Sequence, residues 1–95
     1  MPDINSIRVV LVDDHHQMHQ IVRATLGATK DIKLVGQGAN GQEGIALCEQ
    51  HQPDVVLMDV VMPIMDGIEA TKVLRERMPA IKVLVLSSFH DHESV

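Results

Sequence analysis

Four short apolar runs, separated by stretches with helical spacing, constrain this chain more than any other feature. They are Ile7–Val12, Ile32–Gly38, Val55–Met58 and Ile81–Leu86. The first and third are β-branched and nearly unbroken, as expected of parallel strands covered on both faces. The second is more polar, which suits a strand at the edge of a sheet. After the first run, His15 to Ala28 carries Met18, Ile21, Val22 and Leu26 at helical spacing, with Gly27 as a stop. Asn40 caps a second helix, with Glu43 three residues on in the capping-box position. That helix carries Ile45, Leu47 and Cys48 and ends before Pro53. Residues 60–65 read as a loop, because Pro63 disfavours the helical region at Met62. Asp66 caps a third helix, on which Ile68, Thr71, Leu74 and Met78 are expected to line one face. His90–Val95 reads as the start of a further helix.

The order β-α-β-α-β-α-β predicts an α/β fold. Right-handed crossovers give a doubly wound parallel sheet with helices on both faces. Strand order 2-1-3-4 places strands one and three together in the centre, with a topological switch point at their carboxyl ends.

Three carboxylates fall at that point. Asp13 and Asp14 follow the first run directly, and Asp59 follows the third. Clustered carboxylates repel one another unless a cation lies between them, and oxygen-only ligation suits a hard cation, Mg²⁺ first.

The 95 residues are enough for a single small domain, 1–95. A net charge of −5 and one aromatic residue, Phe89, argue against nucleic-acid binding by these residues, which needs clustered cations or stacking platforms. The lone cysteine, Cys48, forms no internal disulfide, which fits a reducing cytoplasm, and reads as a small buried apolar residue. No apolar stretch approaches the length of a membrane span, and the start lacks a signal peptide. Asp66 is read mainly as a cap, with Gly67 permitting a close backbone approach. Met58, Met62 and Met65 are read as packing. The histidine groups, His15, His16 and His19 together with His90 and His92, are read as solvent-facing polar residues rather than a metal site.

These residues together carry a resemblance. Val12-Asp13-Asp14-His15, then Leu57-Met58-Asp59-Val60-Val61-Met62-Pro63-Ile64-Met65-Asp66-Gly67, then Val83-Leu84-Val85-Leu86-Ser87-Ser88-Phe89, resemble the receiver domain of bacterial response regulators. The subgroup they most resemble is the NarL/FixJ type, whose members continue into a helix-turn-helix domain of the LuxR type. The resemblance implies a flavodoxin-like fold and makes Asp59 the phosphoacceptor for a sensor histidine kinase. It makes Asp13 and Asp14 ligands of Mg²⁺ together with Asp59, and gives a further ligand to the backbone carbonyl of Val61. It puts Ser87 at the switch position, with the backbone N–H of Ser88 as a second donor to the phosphoryl group.

The resemblance also implies a fifth strand, a fifth helix and a phosphoryl-contacting lysine beyond residue 95. Neither Lys72, on the third helix, nor Lys82, upstream of the end of strand four, stands in that lysine's place. An uncovered strand four is expected to self-associate by edge pairing or exchange of elements. DNA binding, by the same resemblance, belongs to an output domain outside these residues. A phosphatase of the haloacid-dehalogenase type shares the aspartate nucleophile and Mg²⁺, but it carries an acid two residues after the nucleophile, where this chain has Val61. A pseudo-receiver that acts only by interaction is the remaining alternative.

Overall fold

A computed structural model describes residues 6–86. The expectations for Ser87, Ser88 and a helix from His90 lie outside these residues. In chain order the elements are β1 (Ile7–Val12), α1 (His16–Gly27), β2 (Ile32–Gly38), α2 (Gly41–His51), β3 (Val55–Asp59), α3 (Gly67–Arg77) and β4 (Lys82–Leu86). The strands form one parallel sheet in the order β2-β1-β3-β4. This is the flavodoxin-like arrangement expected from the sequence, without its fifth strand among the described residues.

The central position of β1 explains its composition. Val9, Val10, Leu11 and Val12 are all buried, so both faces of the strand are covered and no polar alternation is possible. Val10 and Val12 join Val56 and Met58 of β3 in a core closed by Ile45 and Cys48 of α2, Ala70 and Leu74 of α3, and Met62. Val9 and Leu11 face the other way, since successive strand residues alternate. Right-handed crossovers that step outward to β2 and back across to β3 put α1 and α2 on opposite faces. Gly44 lets α2 lie close on β1, because a Cβ there would come within 2.8 Å of Val12. Burial, and then the charge of Glu49, push the Cys48 thiol up to about 11, so it is a packing residue.

The two predicted caps are present. The Asn40 Oδ1 accepts from the Glu43 N–H at 3.0 Å, and the Asp66 Oδ1 from the Glu69 N–H at 2.9 Å. Glu43 also reaches back, accepting from the Ala39 N–H at 2.8 Å.

Two helix faces differ from expectation. On α1 the half-buried stripe is Met18, Val22 and Leu26, whose strict four-residue spacing leaves Ile21 off the line and exposed. On α3 the inward residues are Gly67, Ala70 and Leu74, and Ile68 is exposed. Small residues face the sheet there because the start of α3 lies against the backbone of β3. β4 also departs from a covered strand, since Leu84 and Val85 are more than half exposed.

The β3–α3 loop is fastened at both ends. The Gly67 N–H donates to the Val60 carbonyl at 2.9 Å, and the Gly41 N–H to the Met65 carbonyl at 2.8 Å. Between these bonds Ile64 has φ 70°, a left-handed conformation that costs a β-branched residue about 1–2 kcal/mol. Gly67 is required for a different reason, because a Cβ there would lie 2.0 Å from the carbonyl oxygen of Asp59. Gly67→Ala is therefore expected to cost about 3 kcal/mol by forcing α3 off β3. Urea unfolding of the variant measures this, and unchanged stability would contradict the close approach.

Candidate functional site

The β1–β3 register pairs Val12 with Met58, so the next residue on each strand, Asp13 and Asp59, emerge side by side. Asp13 extends the ladder by one step, its N–H donating to the Gly38 carbonyl at 3.0 Å. Asp13 and Asp59 are buried and Asp14 is exposed, which gives the cluster a closed floor and an open rim.

His15 completes the group. Its backbone N–H donates to the Asp13 Oδ1 at 2.8 Å, an Asx turn that sets the entry of the chain into α1. His15 occupies the N-cap position of α1. Its Nδ1 lies 2.8 Å from the Asp13 Oδ1, 3.3 Å from the Asp14 Oδ1 and 3.7 Å from the Asp59 Oδ2. One ligand atom from each of the four residues falls within 4.8 Å of the others. The hydrogen bond to Asp13 raises the His15 pKa, and the charges of Asp14, Asp13 and Asp59 add to the effect against desolvation. Reading these histidines as merely solvent-facing is thus corrected at His15. The signal in the sequence was its place directly after two strand-end aspartates, within reach of both.

His19 departs from that reading too. Its Nε2 donates to the carbonyl oxygen of Asp13, while its Nδ1 lies 3.1 Å from the Gln37 Oε1 on β2. The Arg23 Nη2 donates to the same Gln37 oxygen at 3.2 Å. The side chains of α1 thus hold the backbone that presents Asp13.

Asp59 carries the chemical tension. Its Oδ2 is buried and has no hydrogen-bond partner among the described residues. Burial raises its pKa first and the neighbouring Asp13 charge second, with Asp14 adding; the Val60 backbone N–H and His15 act in the opposite direction. A buried carboxylate oxygen with no donor, beside two further carboxylates, fits a divalent cation as the group that offsets their repulsion. Val61, two residues beyond Asp59, turns its side chain to solvent. Ser87, expected to add a hydroxyl, lies outside the described residues.

Comparison with known proteins agrees with this architecture. Residues 9–95 match the model of the response regulator receiver domain, and the chain belongs to that family. The family is a phosphoacceptor fold rather than that of a conventional enzyme, and the clustered aspartates and histidine are typical of phosphoacceptor chemistry. The response regulator protein VraR of Staphylococcus aureus is 42% identical over 90 residues, covering 95% of this chain and 43% of that protein. The chain thus spans less than half the length of the curated relatives it matches. The response regulator domain of Thermotoga maritima CheB superposes with a TM-score of 0.83 at 34% identity, covering 87% of this chain and 61% of that one. The signal receiver domain of NarL from Mycobacterium tuberculosis does so at 0.82 and 32%, covering 87% and 67%. Among the described residues no helix is long and apolar enough to cross a membrane.

The raised pKa of Asp59 fixes the sign of a pH effect. Its ionisation favours the unfolded chain, so the stability it allows below the carboxylate range is lost as pH rises through its folded pKa. In chelator-treated protein at neutral pH, Asp59→Asn is expected to raise the thermal midpoint, by about 4–8 °C for each kcal/mol relieved. The gap should close in acid. A midpoint lowered at neutral pH would contradict the unpaired-charge account.

Proposed function

We propose that residues 1–95 belong to the Mg²⁺-dependent receiver domain of a cytoplasmic response regulator of the NarL/FixJ type, taking a phosphoryl group from a sensor histidine kinase onto Asp59. The observation that carries this reading is the buried Asp59 Oδ2, without a hydrogen-bond partner among the described residues, beside Asp13 and Asp14. An Asp59 carboxylate oxygen attacks the phosphorus of the kinase phosphohistidine. The O–P bond forms as the N–P bond breaks, and the imidazole leaves with the electron pair. Burial strips the nucleophile of water, while the wall formed by Asp13 and the open rim at Asp14 confine the approach to one side.

Asp13, Asp14, Asp59 and the backbone carbonyl of Val61 would hold the Mg²⁺, which when bound supplies the positive charge that offsets repulsion between phosphoryl group and nucleophile. Leu86 pairs in register with Asp59, and Ser87, the next residue in the sequence, lies outside the described residues. By the family resemblance the Ser87 hydroxyl and the Ser88 N–H would donate to the transferred group and bias a loop between two states. Control of transcription through a DNA-binding output domain belongs to this reading, supported by the likeness to a DNA-binding response regulator of the LuxR family from Staphylococcus aureus, 25% identical.

Labelling by acetyl phosphate in Mg²⁺ tests the assignment, with loss of label expected in Asp59→Asn. Label that persists on that variant would overturn Asp59 as the acceptor. A wild-type chain that takes no label would instead favour a pseudo-receiver acting by interaction alone.

The outer edge of β4 has no partner strand among the described residues, and Leu84 and Val85 are exposed on it. We propose that the 95-residue chain self-associates there, by edge pairing or exchange of elements. Sedimentation at tens of micromolar should show dimers or larger species, and a clean monomer would refute this.

A further inference from the structure

The His15 imidazole lies where an ion bound to the three carboxylates would have its nearest ligand. Two donors on one divalent ion, at bonds of about 2.0–2.2 Å, stand roughly 3.0–3.4 Å apart at right or tetrahedral angles. The distances from the His15 Nδ1 to the three carboxylate oxygens, 2.8, 3.3 and 3.7 Å, bracket that range. The ring is held there by a turn rather than by chance, because the His15 N–H and Nδ1 both meet the same Asp13 Oδ1. The independent sign of a ligand is the Asp59 Oδ2, on a side chain only 2% exposed, aimed at this group without a hydrogen-bond partner among the described residues.

We propose that His15 is a nitrogen ligand of this centre, shifting its selectivity toward borderline divalent ions of the Co²⁺ and Zn²⁺ class relative to a site of carboxylates alone. The inference rests on the metal site proposed above and adds its fourth side chain. In this structure a proton on Nδ1 satisfies the Asp13 oxygen. On binding, the ion would take the place of that proton, which leaves to solvent while Nε2 keeps its own, so that the ring passes from cationic to neutral. Carboxylates alone suit Mg²⁺, whereas imidazole suits the later members of the divalent series, so one histidine among three aspartates shifts selectivity toward them. His15 is half-exposed, so its ring can turn toward an incoming ion without disturbing the core.

Calorimetric titration of the intact chain with Mg²⁺ and with Co²⁺ tests this on wild type, His15→Ala, His16→Ala and Asp59→Asn. In His15→Ala the Co²⁺ affinity is expected to fall about tenfold or more, while Mg²⁺ affinity changes by less than about threefold. His16→Ala, which alters the neighbouring exposed histidine, should match wild type for both ions. Pulsed EPR of the Mn²⁺-loaded protein supplies a second reading, with an imidazole nitrogen coupling present in wild type and His16→Ala and absent from His15→Ala. This reading in wild type does not depend on how well a variant folds. Unchanged Co²⁺ affinity in His15→Ala, or Mn²⁺ bound without nitrogen coupling, overturns His15 as a ligand and leaves the carboxylate site standing. Binding of neither ion by wild type, or equal binding by Asp59→Asn, overturns the metal site itself.

Discussion

The pairing of β1 with β3 is the interaction on which everything else depends. It is a parallel register between the two most buried strands, and it leaves the residues after Val12 and Met58 abreast at one edge of the sheet. Two carboxylates therefore meet in a place with little water. The fold can hold that arrangement because Val10, Val12, Val56 and Met58 are packed beneath α2 and α3. A slip of one residue would turn every one of these side chains to the opposite face, so core and site are specified by the same register.

Much of this could be read from the residues. Strand runs bounded by aspartates, prolines and glycines located the elements to within a residue or so. Asn40 and Asp66 announced their helices because a short acceptor placed before a helix has few other uses. The convergence of Asp13 and Asp59 followed from strand order, which crossover handedness restricts strongly. What escaped were features set by tertiary geometry. Ile21 and Ile68 are apolar residues close to a buried stripe but not on it, and composition does not separate those cases. Pairing of β1 with β2 shifts between Val9 and Val10, an irregularity that skips Val35 and has no local signal. The left-handed backbone at Ile64 runs against the preference of its own side chain and is imposed by the bonds on either side of it.

His15 and His19 were the most consequential departures. A histidine at a helix start is usually wet, and nothing in spacing alone distinguishes one that turns back onto a carboxylate. Here the Asx turn at Asp13 makes the difference, directing the ring over the acidic cluster while His19 grips the carbonyl of the same aspartate. Asp13 is thus held through its backbone N–H, its carbonyl and its side chain. Such a residue keeps its geometry when charge near it changes, which suits a fixed wall better than a moving part.

The two bonds that fasten the β3–α3 loop have a consequence for recognition. Val61 and Ile64 lie between them with their side chains in solvent, 55% and 75% exposed. An apolar ridge on a loose loop would lose conformational freedom on being covered, and that loss would weaken any complex. Here the backbone beneath the ridge is already ordered, so a partner that covers it beside the acidic pocket gains contact area at little entropic expense.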